Sequence, residues 1–249
     1  MSNKKEMIRI AVFGDSISEG IGSRKVNYCD CLQELLRNYY NIVIVDNYAH
    51  TGTMISYIED IKEQWCGKRY DVVIIAYGNV DAMLRPDLNH TPNLYALLPS
   101  RYKKNGMLNP RPYFSRKWYR SIGQHFDSWF RWHLNRFLLN FQGTTTWVSE
   151  SEFEKKYSIV LENLKKISGS FILLSTVHVS DRYFPGTNSS YMKYNEIIRS
   201  LSQHYHTVYV DLYNLDFSTN DFYDDNFHPN EEGYKRIAAT ICDEIKLIE

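Results

Sequence analysis

Two stretches of this 249-residue chain hold residue types that together could do covalent chemistry: Gly14-Asp15-Ser16-Ile17-Ser18 near the start and Asp225-Asn226-Phe227-His228 near the end. A serine hydroxyl is too weakly acidic to attack a carbonyl unaided. It needs a base of near-neutral pKa, which histidine supplies, while a carboxylate fixes the imidazole tautomer and stabilises the imidazolium. Ser16 is therefore read as nucleophile, His228 as proton acceptor and Asp225 as its orienting group. Asp224 is the neighbouring alternative, but the three-residue spacing favours Asp225. Gly-Asp-Ser also makes ordinary turns, so the assignment depends on the two stretches meeting in space.

The elements around them make that meeting reasonable. Runs rich in Ile, Val and Phe at Ile8–Phe13, Ile42–Asn47, Asp71–Ala76, Phe171–Val177 and Thr207–Asp211 read as five strands, nearly continuous in apolar residues, as strands covered on both faces should be. Helical periodicity separates them near Tyr28–Tyr40, Met54–Trp65, Glu152–Ser168, Tyr191–His204 and Glu231–Ile248. Ser151 with Glu154 suits a capping box for the third of these. Alternation of this kind predicts α/β architecture: a three-layer α/β/α sandwich on a five-stranded parallel sheet, with ligands at the carboxyl ends of the strands. Ser16 follows the first strand and His228 follows the fifth, so both fall on that edge.

Gly14-Asp15-Ser16 after strand one and Asp225-x-x-His228 before the last helix resemble the first and last sequence blocks of the SGNH/GDSL hydrolases, a family of serine esterases and acyltransferases. Two middle blocks stand in order. Asn47-Tyr48-Ala49-His50-Thr51-Gly52 follows strand two, where the resemblance implies a glycine whose backbone N–H helps form the oxyanion hole. Gly78-Asn79-Val80-Asp81 follows strand three in place of the family's usual Gly-x-Asn-Asp. The resemblance thus implies a flavodoxin-like sheet, a Ser16–His228–Asp225 triad and an oxyanion hole from Ser16, Gly52 and Asn79. Val80 sits where the donor asparagine is expected and Asn79 one residue early. Either Asn79 reaches the site through a shifted turn or the hole lacks a side-chain donor, whose loss typically costs about 2.7–4 kcal/mol of transition-state stabilisation. Arg85 is near enough in sequence to offer a compensating charge, and Asp15 and Arg85 are candidates for substrate contact.

The whole chain reads as one domain, 1–249, with an insertion at about 82–150. That insertion lacks a convincing strand. Its second half carries Trp118, Ile122, Phe126, Trp129, Phe130, Leu134, Phe137, Leu138 and Phe141 at three- and four-residue steps, one long amphipathic helix. Between Arg101 and Arg136 nine Lys or Arg face a single acid, Asp127. A wall that stacks sugar rings, a surface resting on an anionic membrane, and a helix packed on the core with its charged side in water are the three readings. The plainest is the last. Arg111 and Arg116 suit acidic glycans, and Tyr113–Tyr119 is the first place to look for specificity.

Elsewhere the sequence is less informative. His50 and His178 near strand ends read as structural histidines, His204 and His206 straddle a helix end, and Asp181 and Arg182 follow strand four without a clear role. Cys29, Cys31, Cys66 and Cys242 have no metal-ligand or CxxC rhythm. No metal or organic cofactor is expected. Balanced charge, 29 basic against 29 acidic residues, gives no field to recruit nucleic acid. Ile8–Phe13 is too brief for a signal-peptide core and no run approaches the roughly twenty apolar residues of a membrane span, so a cytoplasmic protein is expected, peripheral membrane contact aside. The function expected is a serine-dependent carbohydrate O-acetyl esterase acting on a small-molecule or glycan ester. An O-acetyltransferase on a polysaccharide or sugar precursor is the alternative, and a low-activity glycan- or partner-binding protein is the alternative from another class.

Overall fold

The structure, a computed structural model, describes residues 4–22, 26–103 and 108–248. The first half runs β1 (Lys5–Gly14), α1 (Ser16–Glu19), α2 (Tyr28–Leu36), β2 (Tyr40–Asn47), α3 (Tyr57–Asp60), α4 (Lys62–Trp65), β3 (Val72–Ala76), α5 (Asn79–Ala82) and β4 (Arg85–Pro86). The second runs α6 (Trp118–Gln142), β5 (Thr144–Thr145), α7 (Glu150–Leu164), β6 (Ser170–Leu174), α8 (Thr187–Tyr205), β7 (Val208–Val210) and α9 (Glu231–Ile248). Five strands form one parallel sheet in the order β2-β1-β3-β6-β7, the flavodoxin-like order, with β1 at Ile10 flanked by Val45 and Val72. The three central strands are the most apolar because helices cover both of their faces. All five residues of β3 are buried, whereas the edge strand β2 leaves Ile42 half exposed. Helices α2 and α9 pack together, as do α7 and α8, and these pairs form the outer layers.

Local details depart from the expected boundaries for identifiable reasons. The helix expected over Met54–Trp65 is two single turns broken at Ile61, whose backbone leaves the helical region, and buried Trp65 donates its indole N–H to the Ile58 carbonyl at 2.9 Å. The cap of α7 is Ser149, which accepts from the Glu152 amide, and not Ser151, which lies within the helix. β6 stops at Leu174. The Ser175 amide still donates to the Val210 carbonyl of β7, but the next two leave the ladder, Thr176 donating to Asn195 Oδ1 and Val177 to Asn79 Oδ1. Buried backbone donors need partners, and taking side-chain ones here lets the chain turn toward the catalytic edge.

The insertion is closed at its base by a ladder absent from the sequence expectation: β4 and β5 pair antiparallel, Arg85 with Thr145 and Pro86 with Thr144. A small apolar cluster of Tyr102, Leu108 and Leu138 lies inside it. α6 forms over nearly the residues expected, but of its apolar stripe only Leu134 and Leu138 pack inward, in the cluster with Tyr102 and Leu108, while the aromatic members face out. Trp118, Ile122, Phe126, Trp129, Phe130, Phe137 and Phe141 are between 39% and 74% exposed, so the reading of an aromatic stripe packed on the core is wrong. The buried side holds Ser128, Asn135, Leu138, Leu139 and Gln142. Its polar members tie down loops: Gln142 accepts from the Tyr95 amide and donates to the Asp87 carbonyl, and Ser128 accepts from the Arg111 amide. Among the described residues no helix is long and apolar enough to cross a membrane.

Candidate active site

Strand β1 ends on Gly14, a position with no room for a side chain. A Cβ would lie 2.2 Å from Ser18 Oγ. Asp15 is extended and caps α1, its Oδ1 accepting from the Ile17 amide at 3.0 Å, which places Ser16 as the first residue of that helix. The chain after β7 returns to the same point through a turn at Asn226, whose φ of 51° is left-handed. Asp225 Oδ1 accepts from the amides of Phe227 and His228, and this fixes the carboxylate within the turn. Its Oδ2 lies 2.6 Å from His228 Nδ1, and His228 Nε2 lies 2.9 Å from Ser16 Oγ. Asp224, the neighbouring candidate, instead faces a separate cavity beside Arg182 and Tyr183.

A close approach makes this juxtaposition fit. Gly22, at φ 95°, has space for no side chain: a Cβ there would lie 2.6 Å from the Tyr223 ring and 3.2 Å from His228 Cβ. Ser16 and His228 open onto a cavity of about 230 Å³ that Gly52, Val80, Arg85 and Arg131 also line. Gly52 has φ 74°, which suits glycine in the tight turn after β2, and the neighbouring Thr51 is held by Glu19.

Asn79 is not brought to that cavity. Its Nδ2 donates to Asp15 Oδ2 at 3.1 Å, its Oδ1 accepts from the Val177 amide, and Val80 occupies the wall. The expected Asn79 contribution to the oxyanion hole is therefore corrected to a buttress for Asp15. Asp15 likewise turns both oxygens to protein partners and is fully buried, so it is not a substrate contact. Burial pushes its pKa up to about 6, against the opposing pull of the Ile17 amide and Asn79. Sequence reading leaves Asp81 only as the last residue of the third block, without a role. Its Oδ1 accepts from the Ile55 amide and its Oδ2 from the Gly78 amide, so it joins the loops after β2 and β3. Burial pushes its pKa up to about 7, with the Ile55 amide pulling it down and Asp15 adding to the rise. An acid among apolar residues straight after a strand was the available signal.

The other residues singled out lie elsewhere. His50 stacks on Tyr57, His178 packs on Tyr213, Asp181 accepts from Asn188, and Arg182 sits over Trp132. All four cysteines are free thiols.

A doubly wound sheet with a serine, a histidine and a carboxylate in line at its carboxyl edge defines a class: α/β hydrolytic enzymes. Sequence comparison narrows it, since the model of the GDSL-like lipase/acylhydrolase family matches residues 12–236, and the chain belongs to that family. It is accordingly a serine esterase-type enzyme. No curated protein matches the chain. Solved structures with the same fold include Axe2, an acetylxylan esterase from Geobacillus stearothermophilus, at 14% identity and TM-score 0.60 over 98% of this chain and 96% of that one. An alpha/beta hydrolase enzyme from the metagenome of Lake Arreo, Spain, aligns at 14% identity and TM-score 0.61 over 98% of each chain. The acetyl xylan esterase AlAXEase aligns at 19% identity and TM-score 0.57 over 96% of this chain and 100% of its own. At such identities these likenesses speak for the fold.

Proposed function

We propose that the chain is a carbohydrate O-acetyl esterase working through an acyl-enzyme on Ser16. The observation that carries this reading is the unbroken line from Asp225 through His228 to Ser16, at 2.6 and 2.9 Å. As Ser16 Oγ bonds to the ester carbon, its proton passes to His228 Nε2, and Asp225 stabilises the imidazolium. When the carbon–alkoxide bond breaks, the same proton goes to the departing sugar oxygen. Water then repeats the cycle on the acyl-enzyme, with His228 again taking the proton, and releases the carboxylic acid. The backbone amides of Ser16 and Gly52 hold the oxyanion, without the side-chain donor that Val80 replaces. The acetylated-sugar substrate is supported by the acetylxylan esterases that share the fold and by the basic wall of the cavity, lined by Arg85, Arg111 and Arg131.

The test is labelling with a serine-reactive fluorophosphonate together with acetate release from an aryl acetate. Labelling at Ser16, and loss of turnover by about 10⁴-fold or more in Ser16→Ala and His228→Ala, are expected. Folded protein that resists labelling, or turnover that survives both substitutions, overturns the assignment. Diversion of the acetyl group from water to an added sugar would instead make the enzyme a transferase.

A further inference from the structure

Arg85 is a half-buried arginine without an acidic partner among the described residues. Its side chain lines the Ser16 cavity and also a second cavity, of about 260 Å³, inside the insertion. Its Nε is buried with no hydrogen-bond partner, and its guanidinium carbon lies over the Trp147 ring, 4.5 Å from the centroid. Among the described residues no carboxylate lies within ion-pair distance of it. Asp81, whose charge it feels, is already committed to the Ile55 and Gly78 amides. Asp87 lines the second cavity, but one of its oxygens accepts from the Asn89 amide and it forms no ion pair with Arg85. Burial pushes the Arg85 pKa down to about 9, still charged at neutral pH.

The surroundings add to the imbalance. Arg111 and Arg131 also line the Ser16 cavity, and both share a single acid, Asp127, at 3.0 and 2.8 Å. Three guanidinium groups against one carboxylate leave that wall positive, and among the described residues no acid lines the cavity itself. A buried charge is tolerated when something pairs with it. Trp147 lies against the Arg85 guanidinium and no carboxylate of the described residues pairs with it, so its forked N–H groups suit a planar, two-oxygen acceptor entering the cavity.

We infer that Arg85, backed by Trp147 and aided by Arg111 and Arg131, binds a carboxylate of the substrate, so that the preferred ester is one carrying an acidic group such as an O-acetylated uronic acid. This rests on the Ser16 reading for turnover but not for binding. Glucuronate is expected to inhibit hydrolysis of a neutral aryl acetate at a concentration at least tenfold below that needed for glucose. Carboxylated esters, either acetylated glucuronate or an aryl hemiglutarate with the acid on the acyl side, are expected to exceed their neutral counterparts at least tenfold in kcat/KM. In Arg85→Gln that ratio should fall to near one, and in Arg85→Lys part of it should return. Because the ratio is taken within each variant, general loss of activity cancels. Equal inhibition by the two sugars, no preference for either carboxylated ester, or a preference unchanged in Arg85→Gln would overturn the inference. So would stronger selection of phosphorylated over carboxylated counterparts. If the wild type turns over no ester at all, the Ser16 reading fails separately, and a thermal shift by glucuronate but not glucose, absent in Arg85→Gln, still decides the subsite. Should Arg85→Gln not fold, the wild-type inhibition and substrate ratios decide it.

Discussion

The catalytic corner and the insertion wall face the same cavity and solve opposite problems. In the corner the buried acids and Asn79 are all committed: Asp225 to two amides and His228, Asp15 to Ile17 and Asn79, and Asp81 to the Ile55 and Gly78 amides. In the insertion, Arg85 Nε and Trp147 Nε1 are buried without a hydrogen-bond partner, and α6 turns its aromatic face outward. Groups that must hold one geometry through a reaction gain from complete pairing, since an unpaired buried polar atom is costly and free to find other partners. Groups that meet a ligand keep donors in reserve. In the proposed reading the corner does the chemistry and the wall chooses what undergoes it.

Breaking the corner should have the largest effect. Asp225→Asn keeps the size of the side chain but presents an amide to His228, so the imidazole loses the acceptor that selects its tautomer. Turnover of a neutral aryl acetate should drop by about 10³–10⁴-fold, while fluorophosphonate labelling slows in parallel and the melting temperature changes little by comparison. A loss under tenfold would mean that Asp225 is structural and that another acid orients His228.

A smaller effect sharpens what complete pairing costs. Asp15 and Asp81 have pKa values raised by burial to about 6 and about 7, so the folded state holds these protons more tightly than the unfolded chain does. Their contribution to stability is full below the ordinary carboxylate pKa, near 4, and is lost as pH rises toward 7. Asp81→Asn, which carries no such proton, should show a smaller fall in melting temperature than the wild type between pH 4.5 and 7.5, by roughly 5 °C. An identical fall in both proteins would show that Asp81 is ionised throughout.

The smallest effect tests the wall. Phe126 and Trp129 lie on the exposed side of α6, 67% and 52% accessible. Phe126→Ser and Trp129→Ser should each shift the melting temperature by less than about 2 °C, as surface substitutions do. A large loss would show that this face is covered in solution, with a concentration-dependent melting temperature identifying a second copy as the cover.

Much of this was legible in the residues. The five strands and the helices between them followed from apolar runs and helical period, because strands buried on both faces leave a continuous apolar signature. Ser16, Asp225 and His228 stood out because few residue types can act as nucleophile, base and orienter, and because the element order put them on one edge. The α6 stripe shows the limit. Periodicity located the helix, but it cannot say which side meets the protein, and here polar Ser128 and Gln142 face inward because loop amides and carbonyls need them. Asn79 shows a second limit: one residue of register decides whether an amide faces the cavity or Asp15, and only packing against Val177 and Asp15 sets that register.

The sequence by itself determined the sheet, the family and the residue types available for a triad, since these depend on local pattern and on residue types that cannot be exchanged. Tertiary structure alone decided which polar groups are satisfied and which are not. Whether Asn79 and Asp15 are spent on each other, and whether Arg85 has any acid to meet, are properties of distance between residues far apart in the chain. Burial is likewise set by the whole fold, so the raised pKa of Asp81 and the unmet donor of Arg85 have no counterpart in local sequence.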